Sequence, residues 1–442
     1  MAWRDRFLFL SNSGDGFGLA LRLQEAGYEV AGWIRQKKSR QNYEGIIRKV
    51  DRWEDWLDQE TIVVFDSTGG GKLADRLRGK GHYVFGASAF ADQLEMDRSM
   101  AFTLLEEAGV KVPEYKTFYD WEEGKAYARS VGCRLVFKPS GELSKDFTCG
   151  SYCACDEEDM VEMLTYYQGA ATKPPEFELQ HFIEDGIALS TEGWFNGEDW
   201  LWPFNHTSER KAMMNENIGP SMGCSGNLVW PCDRLNQVID NGLGRVADVL
   251  RRENYVGPID LNTMVTPNGD VWALEFTPRF GYDAMPALLQ LYGGDGGNLG
   301  PLLIALARGE KPKEMVFRGG FGAGVHVSVP PFPSEEFHHL GGIPIRGFSK
   351  NDLRNLYFYD IMLDQHDRLV SSPDVGAGFV TLGWGTSIGE AFSTPYTLAK
   401  RAKVPEKQYR TDLAKEFSED YNFWSGVASE HNKAKMVGGG NL

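Results

Sequence analysis

The segment LEFTPRFG, residues 274–281, places a carboxylate and a basic side chain at the end of an apolar strand. A Pro-Asn-Gly turn precedes this strand, and the short strand before the turn carries Asp260. The turn predicts an antiparallel hairpin, which could bring Asp260 close to Glu275. Paired carboxylates on rigid strands suit a hard divalent cation that leaves its other positions to phosphate oxygens. Arg279 could hold a phosphate or a substrate carboxylate, although an ordinary hairpin with solvent-exposed Glu275 and Arg279 explains the same residues.

A second group of residues upstream could bind a polyphosphate. The apolar strand RLVFKP carries Lys138, and the loop that follows contains Lys145 among glycine and serine residues. Backbone N–H groups and ammonium groups in such a loop can meet the negative oxygens of a phosphate chain. The spacing differs from that of a Walker loop. The next apolar strand, with Gln180 and Phe182, could lie along an adenine ring and offer backbone groups to its edge.

The order of these segments resembles that of the ATP-grasp ligases, and most of all the phosphoribosylamine–glycine ligases of purine synthesis. The most specific match is ADQLEMDRSMAFTLLEEAGVKVPEY, because these enzymes carry a basic residue at the position of Arg98, before a helix that ends in Ala-Gly and a Pro. Further matching segments are FLFLSNSGDGFGLALRL, HYVFGAS, GPSMGCSG, LEFTPRFG, DRLVSSPDVGAGFVTLGWGTSIGEA and YRTDL. They follow in the order of the family, so the similarity covers nearly the whole chain.

The resemblance implies the ATP-grasp fold, of α/β and α+β class, with a Rossmann-like parallel-sheet domain before it and a small C-terminal domain after it. The expected units are the N-terminal domain at 1–112, the small lid subdomain at 113–190, the large subdomain with the metal site at 191–315, the C-terminal domain at 316–425 and a flexible tail at 426–442.

The first hundred residues alternate apolar runs of strand length with segments that can be helical. The runs are residues 7–11, 28–34, 61–66 and 82–86. This alternation predicts a parallel sheet with a ligand crevice at the strand ends. The glycines after the first strand have the spacing Gly-x-Gly-x-Gly, which argues against a dinucleotide site. Helical periodicity predicts further helices, among them 97–108 and a long one at 235–252.

The resemblance further implies ATP as the nucleotide and Mg²⁺, or Mn²⁺, as the metal. The residues that it assigns to ATP are Arg98, Lys138, Lys145, Gln180, Phe182, Glu184 and Glu192. Glu184 and Glu192 are candidates for the ribose hydroxyls, and each could equally be a solvated turn carboxylate. The metal ligands that it assigns are Glu275, Thr277 and Asp260.

The resemblance also assigns residues to the substrates and to catalysis. The substrate-binding residues are Gly14, Gly16, Gly219, Pro220, Ser221, Gly223 and Asp283. The turn with Gly14 and Gly16 would hold the phosphate of the acceptor, or it is simple strand-to-helix geometry. The catalytic residues are Arg279, Lys145 and Lys211, with Arg279 stabilising an acyl phosphate and Lys211 as a charge partner beside the loop 219–226.

The chain departs from the family at positions that face the metal and the acceptor. The family pairs its metal-binding Glu with an Asn two residues on, and here that position is Thr277. A threonine hydroxyl is a weaker ligand than an amide carbonyl. The family's Asp-Pro-Glu after Arg-Phe-Gly is replaced by Tyr282–Ala284. The nucleotide side is therefore better supported than the acceptor side.

The implied function is that of an ATP- and magnesium-dependent, ADP-forming carboxylate–amine ligase that works through an acyl phosphate. The substrates would be small molecules, an amino acid and an amine acceptor. A ligase with the same mechanism and another acceptor, such as a modified nucleoside, stays open. So does a nucleotide-binding protein without catalysis, although joint retention of Arg98, Lys138, Lys145, Glu275 and Arg279 argues against it.

Composition fits an acidic enzyme of several compact units. A chain of 442 residues exceeds one hydrophobic core. Its net charge of −16 argues against general nucleic-acid binding. No window approaches the roughly 20 apolar residues of a membrane span. The N-terminus is too charged for a signal peptide, and the six cysteines lack CxxC spacing. We therefore expect a cytoplasmic protein, and the sequence leaves its oligomeric state undetermined.

Overall fold

The computed structural model of the chain describes residues 5–147, 151–232, 234, 236–282, 284–293, 297–334 and 341–438, without the side chains of 145 and 428–438. Its helices are α1 (Phe17–Glu25), α2 (Gly71–Gly79), α3 (Ala89–Met96), α4 (Arg98–Glu107), α5 (Trp121–Val131), α6 (Glu157–Ala170), α7 (Gln237–Asn241), α8 (Ala247–Arg252), α9 (Ala284–Leu291), α10 (Gly300–Ala307), α11 (Ile388–Arg401) and α12 (Leu413–Gly438).

The strands of the N-terminal half are β1 (Arg6–Ser11), β2 (Glu29–Ile34), β3 (Arg48–Lys49), β4 (Thr61–Phe65), β5 (Tyr83–Phe85), β6 (Tyr115–Phe118), β7 (Leu135–Pro139), β8 (Tyr152–Cys153), β9 (Phe177–His181) and β10 (Ile187–Asn196). Those that follow are β11 (Trp200–Ala212), β12 (Ser221–Pro231), β13 (Val256–Val265), β14 (Val271–Thr277), β15 (Phe321–Val327), β16 (Leu356–Phe358), β17 (Ile361–Leu363), β18 (Leu369–Ser371) and β19 (Phe379–Gly385).

The N-terminal strands form a parallel sheet with the order β3-β2-β1-β4-β5. Strands β1 and β4 are buried along almost their whole length, as expected for a parallel sheet covered on both faces. The strand runs predicted from the sequence are confirmed. The turn after β1 therefore lies at the carboxyl edge of this sheet, next to the turn after β4.

A smaller antiparallel sheet has the order β6-β9-β7-β8. Its one face packs on α5 and α6 through residues such as Phe137, Phe177 and Leu179. Side chains alternate between the two faces of a strand, so Lys138 and Glu178, which are directly paired between β7 and β9, lie on the other face. This sheet thus has an apolar face and a polar face.

A larger sheet has the order β14-β13-β10-β11-β12-β15-β19-β16. Strands β10–β14 belong to the unit predicted as the large subdomain. Strands β15, β16 and β19 come from the unit predicted as the C-terminal domain, and they extend the same sheet through the pairing of β12 with β15. The two units therefore share one continuous sheet.

One predicted helix differs from the structure. The long helix expected at 235–252 is interrupted, because Gly242 leaves the helical conformation with φ −126° and ψ −118°. A Cβ atom at Gly242 would lie 2.6 Å from the carbonyl oxygen of Val238, so the break needs a glycine. In the part of the predicted tail that the structure describes, α12 continues to Gly438, after burying Phe417 and Trp424.

None of the helices in the described part of the chain combines the length and the apolar character that a membrane crossing requires.

Candidate active site

The polar face of the small sheet lies beside the polar face of the large sheet. Lys138 on β7 is within electrostatic range of Glu275 on β14 and of Lys211 on β11. Arg98 and Glu178 surround the same ammonium group. Three cationic side chains and two carboxylates from separate elements therefore converge on one cleft between the two sheets, and the sequence analysis had assigned all of them but Glu178 to the site.

The N-terminus of α4 positions Arg98. Asp97 caps this helix by accepting a hydrogen bond from the Met100 amide at 3.0 Å, so Arg98 occupies the first helical position. Its Nη1 donates to Glu178 Oε2 at 3.1 Å. The side chain of Glu178 is almost fully buried, whereas a quarter of the Arg98 side chain is exposed. Glu178 therefore fixes the guanidinium group of Arg98 at the wall of the cleft.

Lys138 is 7% exposed. Burial and the neighbouring Arg98 lower the pKa of Lys138 from its ordinary value of 10.5 to about 8, despite the opposing effects of Glu275 and Glu178. The ligand-free protein thus holds a partly destabilised ammonium group. An anion bound beside it would restore the charged form.

The strand predicted to lie along adenine is β9 with the residues that follow it. Gln180 is 2% exposed, and its Nε2 is buried without a hydrogen-bond partner among the described residues. One face of the Phe182 ring is covered by the Arg134 guanidinium, whose Cζ lies 3.9 Å from the ring centre. Arg134 also pairs with the exposed Glu184 at 3.3 Å. The Gln180 side-chain amide therefore has an N–H donor from which a ligand beside β9 could accept a hydrogen bond.

Strands β13 and β14 form the hairpin predicted from the Pro-Asn-Gly turn, but with a different alignment of side chains. Asp260 lies opposite Thr277, and Glu275 lies opposite Asn262. A register irregularity between Asn262 and Thr263 accompanies this pairing. Asp260 and Glu275 are diagonal neighbours that still repel each other electrostatically. Asn262 is thus a member of the site that the sequence analysis did not assign.

The side chains of these residues offer oxygen atoms that could serve as ligands for a metal ion. Asp260 is 7% exposed and its Oδ1 has no hydrogen-bond partner in the part of the chain that the structure describes. Burial, followed by the charges of Glu192 and Glu209, raises the pKa of Asp260 well above its ordinary range. An unpartnered buried carboxylate oxygen beside Glu275 and Asn262 fits a hard divalent cation. Across the described residues, however, no three His, Cys, Asp or Glu side chains are already gathered as metal ligands.

Glu192 lies in the middle of the large sheet, directly opposite Asp260. It is 2% exposed and accepts a hydrogen bond from Trp194 Nε1 at 2.9 Å. Burial raises the pKa of Glu192 to about 7. Glu184, the other candidate for the ribose hydroxyls, is exposed at the end of the small sheet. The structure therefore places the two candidates in different surroundings, Glu192 with Asp260 and Glu184 with Arg134.

The predicted substrate residues Gly219 and Pro220 lie in the loop between β11 and β12, Ser221 and Gly223 lie at the start of β12, and Lys211 lies near the end of β11. All five are at the exposed or partly exposed surface. The nearby charges of Glu275 and Glu209 raise the pKa of Lys211, although burial opposes them.

The C-terminal region holds this loop. Arg410, which is 1% exposed, donates to Asn217 Oδ1 at 2.7 Å and forms an ion pair with Asp412 at 2.7 Å. Asp412 in turn accepts a hydrogen bond from the Glu216 amide at 2.8 Å. The YRTDL segment that matched the family thus anchors the loop between β11 and β12.

Arg279 is bound to another side chain. Its Nε and Nη2 both donate to Glu95 Oε1, at 3.0 and 2.8 Å, and its Cζ lies 4.2 Å from the centre of the Tyr282 ring. Asp15 lies within electrostatic range of the same guanidinium. Arg279 therefore connects the end of β14 with α3 and with the turn after β1.

The turn after β1 uses its amides inside the protein. The Gly14 amide donates to Ser11 Oγ at 2.7 Å, and the Gly16 amide donates to Asp66 Oδ2 at 2.7 Å. A Cβ atom at Gly16 would lie 2.6 Å from Asp66, so a glycine is required there. The two amides that were predicted to hold an acceptor phosphate thus already have partners, and one partner is a carboxylate.

Two predicted residues cannot be placed. Asp283 lies outside the described residues, and so does the side chain of Lys145, whose backbone forms the end of a 3-10 helix at Gly141–Lys145.

The sequence analysis missed Glu178, Asn262, Asp66 and Glu95. Strand alternation could have found two of them, because Glu178 and Asn262 lie two positions from assigned residues on the same strand faces. Asp66 and Glu95 reach the site only through tertiary contacts, 50 residues from Gly16 and 184 residues from Arg279.

Comparison with known proteins identifies relatives and structures that resemble this chain over most of its length. The chain matches no protein-family model. A phosphoribosylamine–glycine ligase from Nostoc sp. is 24% identical over 350 residues, which are 77% of this chain and 80% of the relative. The crystal structure of phosphoribosylamine–glycine ligase from Thermotoga maritima gives a TM-score of 0.72 at 20% identity, covering 92% of this chain and 99% of that chain. A biotin carboxylase–β-γ-ATP complex from Campylobacter jejuni gives a TM-score of 0.61 at 13% identity, covering 98% and 96%.

The chain therefore has the ATP-grasp fold, and it resembles the phosphoribosylamine–glycine ligases over most of its length. Both expectations from the sequence motifs are confirmed.

Proposed function

We propose that this protein is an ATP-dependent, ADP-forming carboxylate–amine ligase of the phosphoribosylamine–glycine ligase type. The observation that carries the proposal is the convergence of Arg98, Lys138, Lys211 and Glu275 between the two sheets. The named relatives and the fold agree with it. The cell compartment that we propose is the cytoplasm.

The reaction has two steps. The substrate carboxylate attacks the γ-phosphorus of ATP, ADP leaves, and an acyl phosphate forms. The amine of the acceptor then attacks the acyl carbon, the bond from that carbon to the phosphate oxygen breaks, and inorganic phosphate leaves. Neither step needs a nucleophilic side chain, so the protein contributes orientation and charge neutralisation.

The residues of the cleft suit these tasks. Arg98 and Lys138 would contact the phosphates from the small-sheet side, together with Lys145 of the loop. Lys211 would neutralise charge from the large-sheet side. Gln180 Nε2, the buried donor without a partner, would bind the nucleotide further along β9. Because Arg98 is held by Glu178 and Lys138 is buried, these two groups can stabilise charge in the transition state with little reorganisation.

Glu275 and Asp260, with Asn262 or Thr277, would hold the divalent cation, Mg²⁺ or Mn²⁺. When bound, such a cation neutralises phosphate oxygens and favours in-line transfer. Arg279 is held by Glu95, so we assign it the positioning of the segment after β14 beside the acyl phosphate. Its charge would still act on that intermediate at short range.

Glycine and phosphoribosylamine are the substrates suggested by the relatives. A second candidate is a ligase of the same mechanism with a different amine acceptor. The observation that favours it is the hydrogen bond from the Gly16 amide to Asp66, in the turn that was expected to bind an acceptor phosphate. Thr277 and Tyr282 also depart from the family in this region.

A product assay tests the proposal. The protein is incubated with ATP, Mg²⁺ and each of the twenty amino acids in the presence of hydroxylamine, which traps an acyl phosphate as a hydroxamate. We expect ADP, phosphate and hydroxamate with at least one amino acid. Nucleotide binding without any of these products would support a non-catalytic nucleotide-binding protein instead.

A further inference from the structure

A small acidic cavity lies between the turn after β1 and the segment after β14. Its volume is about 10 Å³, which admits one group of the size of a water molecule or an ammonium, and its lining includes Asp15, Asp66, Tyr282 and Tyr357. It contains no lysine or arginine side chain among its lining residues. Arg279 lies next to it, where it pairs with Glu95 and also acts electrostatically on Asp15. The cavity itself therefore presents two carboxyl groups and no basic side chain.

One carboxylate oxygen of this cavity is available to a ligand. Asp66 is 1% exposed, and its Oδ1 has no hydrogen-bond partner among the described residues, while its Oδ2 accepts from the Gly16 amide. A buried acceptor without a donor is costly to leave unpaired. A ligand that brings N–H donors would remove that cost.

Asp15 supplies a second carboxylate. Ser13 Oγ donates to Asp15 Oδ2, and Tyr357 donates to the Asp15 backbone carbonyl at 2.9 Å. Burial, followed by the charge of Asp66, raises the pKa of Asp15 to about 7. Two neighbouring carboxylates destabilise each other's charged form. A cation between them stabilises the charged form, and an anion destabilises it further.

Because two carboxyl groups and no basic side chain line this cavity, we propose that it binds a primary ammonium group of a substrate between Asp15 and Asp66, and excludes a phosphate. This inference rests on the proposed ligase function. An ammonium group held by two carboxylates keeps its proton, so it anchors the substrate and does not attack the acyl carbon. It is either the α-ammonium of the amino acid or a second ammonium of a diamine acceptor.

Matched ligands test the proposal by calorimetric binding, which needs no turnover. Glycine is compared with glycolate, and 1,3-diaminopropane with 3-aminopropanol and 3-aminopropyl phosphate. We expect an ammonium ligand to bind more tightly than its hydroxyl counterpart, and the phosphate to bind worst. Tighter binding of glycine than of glycolate would identify the ammonium group as that of the amino acid. Tighter binding of 1,3-diaminopropane than of 3-aminopropanol would identify it as that of the acceptor.

Substitutions of the two carboxylates test whether the preference for ammonium ligands arises in this cavity. Asp66→Asn keeps an oxygen for the Gly16 amide and removes the charge. It should reduce the ammonium preference on the order of tenfold to a hundredfold. Asp15→Asn, at a partly exposed position, serves the same purpose if Asp66→Asn does not fold. Asp248→Asn removes a charge from an exposed helix and should leave the preference unchanged.

Tightest binding of the phosphate, no ammonium preference in either pair, or an equal preference in all variants would overturn the proposal. The hydroxamate assay separates this outcome from failure of the ligase function. Hydroxamate formation with no ammonium preference refutes the cavity assignment alone, whereas ammonium binding without hydroxamate refutes the ligase alone.

Discussion

Replacement of Lys138 by Met tests the nucleotide side of the cleft while sparing the fold. The methionine keeps the apolar stem of the side chain and removes its ammonium group. Lowering the pKa of Lys138 from 10.5 to about 8 corresponds to roughly 3 kcal/mol of destabilisation of its charged form at neutral pH. The depressed value means that this cost is present below about pH 8 and disappears at high pH. Lys138→Met should therefore not lower the melting temperature at pH 7.

Nucleotide binding, in contrast to stability, should be weakened by Lys138→Met. Removal of one preorganised charge contact typically costs about 3 kcal/mol, or roughly a hundredfold. We expect Lys138→Met to weaken ATP binding or to lower kcat/KM by that factor, as measured by calorimetry and by steady-state ADP release.

Lys116→Met is a suitable control for this substitution. Lys116 lies in the same sheet, but it is exposed and paired with Leu179, on the face that carries the helices. It should bind and turn over ATP as the unaltered protein does. Unchanged ATP affinity and turnover in Lys138→Met, or an equal loss in Lys116→Met, would refute the placement of the phosphates.

Three further predictions concern the metal, pH and Arg279. Glu275→Gln should abolish magnesium-dependent turnover, whereas Thr277→Asn should preserve it at equal or lower magnesium; full activity of Glu275→Gln in a magnesium titration would show that the metal lies elsewhere. ATP affinity should decrease as the pH rises through about 8, because Lys138 of the ligand-free protein loses its proton there. Calorimetric titrations from about pH 6 to about pH 9.5 cover this transition, and Lys138→Met should not show the decrease. Arg279→Lys, which cannot reproduce both hydrogen bonds to Glu95, should lower turnover about tenfold and stability by about 1–2 kcal/mol in thermal unfolding, and unchanged values would argue that the pair is dispensable.

Local patterns in the sequence predicted the elements that carry the cleft. The apolar run before Lys138 gave its strand, the Pro-Asn-Gly turn gave the β13–β14 hairpin, and Asp97 gave the start of the helix with Arg98. Such features depend on neighbouring residues, so they can be recognised without tertiary information.

Register and long-range pairing could not be predicted in the same way. The irregularity after Asn262 shifts Asp260 opposite Thr277, which periodicity alone does not show. The contact of Gly16 with Asp66 joins two turns of the parallel sheet, and it changes a predicted phosphate site into an acidic one. A glycine is required at position 16 because a Cβ atom there would lie 2.6 Å from this buried carboxylate.

The central claim is that the cleft activates a carboxylate by phosphorylation with ATP. The most direct measurement uses glycine, or another amino acid that supports turnover, with ¹⁸O in its carboxylate, and analyses the products by ³¹P NMR and mass spectrometry. Attack of the carboxylate on the γ-phosphorus carries one of its oxygens into the inorganic phosphate that is later released. The account predicts ADP and phosphate containing one ¹⁸O atom per turnover. AMP with diphosphate, or ADP with unlabelled phosphate, would contradict it.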